Sequence, residues 1–528
     1  MRKNQNHIAA YYYNDRERRK RKLALKIIFG AALLSLLSGI AYGSFFVYKL
    51  STLEKKINPD QSSETNFLRT ARSLVDPPVI NLKGMENERI NVLLLGIAGK
   101  GKPGQNLTDT IMIASINTKT NQVALLSIPR DFYVNPARSN SNFGRDADIQ
   151  APRTSNGVKV PDMNFQTKIN SVYQYGLNSY QDTDRAIELV SATIRDIISL
   201  DIDYYVILNF DGFENLIDSI GGINIMNERD IYDARYPGPN YSYETFSLNQ
   251  GFHQLDGSTA LKYVRERHDD PQGDFGRAKR QQQVIQATKN KIFSTGTLLN
   301  VVTLNNLFNA LGETIQTDIK AEEIGSFMEL SKKLDTQNIN NLVLDAWNKE
   351  SLLKVSHVSL GNVRAFALIP RVGNYSEIKE IAQNIFDLNK IKRRREAIVA
   401  ENAEITILNQ SGNPALTGKI KKLLGDNLNY KNVAMLNNPG SILAEKSTVY
   451  DLTNGLKPFT LDELVEKLPA VPSYNTAAFI RSITVGKKFD MVVSLGKDLV
   501  DIYTVEEGTL DDLNKQTDNR ESEEFNKN

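Results

Sequence analysis

Ile27 to Tyr48 is a run of 22 residues without a charge. As a helix rising about 1.5 Å per residue it reaches about 33 Å, enough for a hydrocarbon core of about 30 Å. Eleven of its residues are Leu, Ile, Phe or Val, together favouring insertion by very roughly 3–7 kcal/mol. A buried core helix and a cleaved signal segment are the alternatives. The run is long for a signal's apolar region, and no small-x-small cleavage site follows it. The first 22 residues hold eight Lys or Arg against Asp15 and Glu17. A basic flank stays in the cytoplasm, so a single-pass anchor is expected, with everything after Lys49 outside the cell membrane.

The anchor divides the chain. Residues 1–26 read as a basic cytoplasmic tail, 27–48 as the anchor and 49–85 as a polar stalk. Residues 86–389 read as the main folded domain, with an Asn-, Ser- and Pro-rich inserted loop at 136–163. Short apolar runs at 91–96, 110–116, 122–128, 204–209, 223–226 and 363–369 are expected strands, and 117–121 a hairpin turn. Helical patterns occur at 166–175, 184–198 and 213–220, and continue from 278 to about 334. Strands mixed with helices give an α/β class, a central mixed sheet flanked by helices. Residues 390–403, opening with KIKRRR, read as a basic linker whose charges form a solvated face. Residues 404–497 read as a smaller α/β domain and 498–528 as an acidic disordered tail. There is no cysteine, which removes disulfides, thiol nucleophiles and Cys metal sites.

Some motifs fail on context. GIAGKGK, from Gly96, begins like a P-loop, but Pro103 stands where a Ser or Thr should hold magnesium, and a strand pattern follows instead of a helix. The same missing helix defeats a GxGxxG reading of Gly99, Gly101 and Gly104, although such a loop can still offer N–H groups to phosphate oxygens. His7, His253, His268 and His357 are not spaced for a metal, and no GxSxG elbow occurs.

The chemistry concentrates in Gly257–Gln283. Arg265, Arg267, Arg277 and Arg280 fall within sixteen residues, followed by Gln281. On a strand, Tyr263, Arg265 and Arg267 share one face. Arg277 and Gln281 are spaced i, i+4 for a helix, with Asp274 placed to cap its start. A helix N-terminus and guanidinium forks both suit phosphate oxygens. Upstream, Arg130 and Asp131 end one strand and Asp109 begins another. On residue types alone the set is either an anion grip or a surface salt-bridge network. The external topology argues against a nucleic-acid partner.

The ordered motifs extend this. NVLLLG at 91, TDTIMIASIN at 108, LLSIPRD at 125, KIN-x-x-Y-x-YG at 168, IDYYVILNFDGF at 202, IGGI at 220, LDGSTALKYVRERH at 255, DFGRAKRQQQ at 274 and IPRVGNYSEI at 369 together resemble the LytR-CpsA-Psr family of cell-wall glycopolymer ligases. Residues 404–497 are similar, more weakly, to its LytR-type C-terminal domain. The resemblance implies a hydrophobic channel for a polyprenyl chain with a pyrophosphate at its mouth. It implies transfer of a phosphoglycosyl polymer from that carrier to peptidoglycan, aided by Mg2+. By motif position Arg130, Arg265, Arg267, Arg277 and Gln281 hold the pyrophosphate, with Arg280 beside them. Asp109 serves the metal or orients the arginines, and Asp131 is a further acidic candidate. Many members carry an acid soon after LLLG and an arginine just before the Thr-Asp-Thr. Here the loop is Ile97–Lys102 and Leu107 precedes Thr108, so Lys100 or Lys102 is left to supply the charge, as a point cation rather than a fork. A pyrophosphatase on the same lipid, or a non-catalytic wall-polymer binder, are the competing readings.

Overall fold

In a computed structural model the chain is described at residues 81–136, 166–238, 242–267, 270, 273–294, 314–319, 323–346, 351–360, 363–438 and 442–503. The apolar run 27–48, the stalk to residue 80, the heart of the inserted loop and most of the acidic tail lie outside them. Among the described residues no helix is long and apolar enough to cross a membrane. These residues form two compact units, one running to Leu344 without Asp196–Ser199, the other made of those four and the chain from Asp345.

In the first unit the elements are β1 (Arg89–Ile97), β2 (Thr108–Asn117), β3 (Gln122–Ile128), β4 (Tyr133–Val134), β5 (Thr167–Lys168), α1 (Val172–Tyr180), α2 (Thr183–Ile198), β6 (Tyr204–Asn209), α3 (Phe210–Ser219), β7 (Ile223–Asn227), β8 (Ile231–Pro237), β9 (Tyr243–Leu248), β10 (Gly251–Leu255), α4 (Gly257–Arg265), α5 (Gly273–Ser294), β11 (Ile315–Thr317), α6 (Ile324–Lys333) and β12 (Asp335–Val343). The central sheet runs β11-β6-β1-β2-β3-β12. It is mixed, because β1 pairs antiparallel with β2 but parallel with β6. The near-continuous apolar run in β1 fits a strand covered on both faces. Ile90, Val92 and Leu94 alternate onto one face with Met112, Ala114, Val123 and Val206, packed with Phe327 and Leu330 of α6. Leu93, Leu95, Ile113 and Ile207, on the opposite face, are buried as well. The Asn117–Gln122 turn closes as expected, with the Asn117 side chain accepting from the N–H groups of Lys119 and Thr120.

A second cluster joins α3, α4 and α5 to β7–β10 through Ile217, Ile225, Phe246, Tyr263 and Val284. Helices α3 and α4 run antiparallel, since Gly257 N donates to Asp218 at one end while Arg265 covers Phe210 at the other. Gly257 permits this, because a Cβ there would lie 2.3 Å from the Glu214 carbonyl oxygen.

Two expectations change. Within the helical run expected from 278 to about 334, Ile315–Thr317 form strand β11, which pairs with β6, and the unassigned residues 335–343 add strand β12. The expected strand through Tyr263 and Arg265 is helix α4. Asp256 caps it by accepting from Thr259 N, and Ala260, Leu261, Tyr263 and Val264 are buried at helical spacing. Local capping and a 3.6-residue apolar stripe outweigh the two-residue alternation of arginines.

The second unit holds β13 (Leu353–Leu360), β14 (Val363–Pro370), α7 (Ser376–Gln383), α8 (Asn389–Glu401), β15 (Glu404–Asn409), α9 (Pro414–Lys422), β16 (Asn432–Leu436), β17 (Thr448–Asp451), α10 (Pro458–Lys467), β18 (Val471–Ser473), α11 (Ala478–Thr484), β19 (Met491–Leu495) and α12 (Val500–Tyr503). Its sheet runs β16-β15-β19-β17-β18. The sequence sets the boundary near residue 390, whereas packing joins residues 345–403 to this unit. The KIKRRR face is not simply solvated. Arg395 is buried against Glu463 at 2.5 Å, and Arg394 pairs with Glu466 at 2.9 Å, leaving Lys390 and Arg393 exposed.

Candidate active site

The site lies along one edge of the central sheet. Ile97, at the end of β1, is opposite both Thr108 at the start of β2 and Asn209 at the end of β6. Ile111 is opposite Ile128, the last residue of β3. The edge therefore presents Asp109, Arg130, Asp131 and the start of α3 together. The ends of parallel strands, with loops released on one side, are where α/β sheets bind ligands.

Local bonds fix these side chains. Thr108 is fully buried and donates to the Asn170 carbonyl, while Asn170 N donates to the Arg130 carbonyl. The turn after β3 is thus tied to the turn after β5. The Arg130 guanidinium donates to Asp109 Oδ1 at 2.8 Å and lies 3.8 Å from Asp131. Lys168 Nζ reaches Asp131 Oδ1 at 2.9 Å. Arg277, on the second turn of α5, donates from Nη2 to the Asp109 carbonyl oxygen at 3.2 Å. Burial alone would raise the pKa of Asp109. Arg130, Arg277 and Arg267 overcome that and hold its carboxyl below the usual range. About a third of this side chain stays exposed, against a tenth of that of Arg130. Four cationic side chains thus surround two carboxylates, an excess that suits a phosphate dianion.

Arg265 is the last residue of α4. Its guanidinium lies 4.5 Å from the Phe210 ring and 5.7 Å from Tyr236. Glu266 turns extended, which ends the helix and swings Arg267 towards Asp109. Arg265 and Arg267 therefore work from a helix end and the loop behind it, not from one strand face. Lys102 approaches Phe210 at 5.5 Å and pairs with Asp211 at 2.5 Å, while Lys100 is exposed at the tip of the loop. The glycine loop spends its N–H groups on itself: Gly99 on Gln105, Lys102 on Gly99 and Leu107 on Gly104. With strand β2 following, it is a tight turn rather than a phosphate cradle.

Other candidates move. Arg280 points inward. Its Nε donates to the Tyr263 carbonyl at 3.0 Å, and its guanidinium also bonds Asp270 and the Glu266 carbonyl. It shapes the turn between α4 and α5 instead of facing a substrate. Arg280→Met leaves the buried Asp270 carboxylate without this partner, so a loss of about 3–5 kcal/mol of stability is expected by chemical denaturation. Helix α5 begins at Gly273, which puts Asp274 inside its first turn rather than ahead of it. Gln281 is half-buried one turn beyond Arg277, while the neighbouring Gln283 accepts from Tyr263 OH at 2.6 Å. Lys168 and Phe210 complete the site without having been singled out. Both sit inside matched motifs, but neither residue type marks a phosphate site by itself.

As a magnesium site the donor set is poor. Among the described residues no group of three acids or histidines converges. Asp109 is already bonded to Arg130 and flanked by two further guanidiniums. The protein atoms alone do not fit a dication.

The LytR_cpsA_psr family profile matches residues 45–364, more than half of the chain. The polyisoprenyl-teichoic acid–peptidoglycan teichoic acid transferase TagU of Oceanobacillus iheyensis is 28% identical over 60% of this chain and 83% of that protein. The transferase of the same name from Enterococcus faecalis is 27% identical over 58% and 82%. The crystal structure of B. subtilis TagV is similar with a TM-score of 0.39 at 22% identity, covering 57% of this chain and 98% of that one. A profile match running from residue 45 through the Asp109, Arg130, Arg265 and Arg277 motifs to residue 364 leaves one conclusion: the chain belongs to the LytR_cpsA_psr family.

Proposed function

We propose that this protein is a membrane-anchored phosphotransferase that moves a phosphoglycosyl polymer from a polyprenyl pyrophosphate carrier to a hydroxyl of peptidoglycan. The observation that carries this reading is the sheet-edge cluster in which Arg130, Arg267, Arg277 and Lys168 exceed Asp109 and Asp131 in charge. The names of the transferase relatives support the same chemistry. Arg130, Arg265, Arg267 and Arg277 are assigned to the pyrophosphate, with Gln281 beside them. Asp109 orients the arginines. Phosphoryl transfer depends mainly on positioning and charge neutralisation, which guanidiniums held in place supply. The polyprenyl tail is assigned to the hydrophobic channel that the family resemblance implies. Ile27–Tyr48 is assigned to the bilayer, with the folded units on its outer side.

The test uses the full chain in detergent with a polyprenyl pyrophosphate-linked oligosaccharide, magnesium and peptidoglycan fragments. Sugar phosphate is expected covalently on the peptidoglycan. It should fall at least about a hundredfold in Arg265→Ala, in line with losing one preorganised charge partner. Free oligosaccharide phosphate alone would make the protein a pyrophosphatase. Retained wall binding without turnover would remove both enzymatic readings. Activity abolished by EDTA and restored by magnesium supports the metal; activity retained assigns neutralisation to the arginines.

A further inference from the structure

The acceptor hydroxyl must lose a proton, and the two acids of the cluster are poorly suited to take it. Asp109 is bonded to Arg130 and held below the usual carboxylate range, which makes it a weak base. Asp131 is buried and bonded to Lys168. A third carboxylate stands on the helix that starts at this end of the sheet. Glu214 follows Phe210 by four residues on α3, so both occupy one face of that helix. Helix α3 starts directly after Asn209, two strands from Thr108 and so about 10 Å across the sheet edge. On that face Arg265 covers the Phe210 ring, and Lys102 approaches it from the glycine loop. Glu214, one turn along, is half-buried within the electrostatic reach of both Lys102 and Arg265, and its carboxylate makes no hydrogen bond or ion pair among the described residues.

We propose that Glu214 is the general base of the transfer, an inference that rests on the phosphotransferase reading above. Its carboxylate takes the proton of the acceptor hydroxyl as that oxygen bonds to the sugar-side phosphorus. The bond from this phosphorus to the bridging oxygen breaks, and polyprenyl phosphate leaves with the electron pair. The groups facing Glu214 are Lys102 from the loop, Arg265 from α4, and Asp211 and Asp218 on its own helix. Burial raises its pKa first, Lys102 opposes that, Asp211 and Asp218 add to it, and Arg265 opposes; the balance lies above the usual carboxylate range. A carboxylate so placed is a stronger base than Asp109.

The experiment compares wild-type full chain with Glu214→Gln and Glu214→Asp, using the same donor and peptidoglycan fragments. Transfer by Glu214→Gln should fall roughly 10²–10³-fold, the usual worth of a positioned base. The rise of kcat with pH seen in wild type should disappear. Donor affinity should stay within about threefold, and Glu214→Asp should recover part of the rate. Transfer by Glu214→Gln equal to wild type, or an unchanged pH profile, would overturn the assignment alone. Equal losses in donor affinity and transfer would overturn it too, making Glu214 a positioning partner of Arg265. No product from wild type would overturn the phosphotransferase reading as well.

Discussion

Arg130→Ala should lower transfer by about 10³-fold or more. The residue has two jobs at one place. It is assigned to the pyrophosphate, and it donates to Asp109 while lying beside Asp131. Losing one preorganised donor to a developing charge costs about 10²–10³ in rate. Here the loss also removes the main counter-charge of Asp109, so burial would dominate and the carboxyl would take up a proton more readily. Arg130→Lys should recover little, because a point charge cannot bridge two acids and a phosphate as a planar fork does. Arg130→Ala combined with Asp109→Asn should be less than additive, since the two share one contact. Additive losses would show that Asp109 and Arg130 act separately. The pair also sets a pH window. A depressed carboxyl contributes stability that is present above its unfolded value of about 3.9 and disappears as pH falls through the lower folded value.

Glu377→Gln should destabilise the second unit by about 3–5 kcal/mol. The Glu377 carboxylate is 3% exposed and accepts two hydrogen bonds from Arg371 at 2.8 and 2.7 Å, with Arg395 at 3.6 Å. Burial would raise its pKa, but Arg371, Lys467 and Arg395 hold it below the usual range. Removing the charge leaves those cations buried with less compensation. For a unit of this size the loss corresponds to roughly 6–20 °C in the melting temperature of the transition that reports it. The sign with pH matches that of Asp109: the contribution is complete above the ordinary carboxylate range and is lost as acid titrates Glu377 through its lower folded value. A melting temperature within about 2 °C of wild type would show that the network contributes little.

Much of the first unit was legible because burial on a sheet writes itself as short apolar runs. NVLLLG, TDTIMIASI and QVALLSI read as strands, and they are the centre of the sheet. β12 was less legible, since Asp335–Asn338 and Asn340–Asn341 make most of it polar, directly after a helix pattern. Arg265 and Arg267 were expected on one strand, but they stand at a helix end and in the loop behind it. Their two-residue spacing looked like a strand, whereas Asp256 and the Ala260–Val264 stripe make a helix that stops between them.

Residue type and order determined the α/β class, the apolar segment, and the clustering of arginines with acids in the chain, because these depend on local periodicity and fixed charge. Only the tertiary structure decided which cation meets which acid. Arg280 turns inward on Asp270, Lys168 joins Asp131 from β5, and Arg265 covers the Phe210 ring. Such choices are set by how helices cross and where strands end, over separations of tens of residues. A few ångströms of packing separate a guanidinium that faces a phosphate from one that holds a turn.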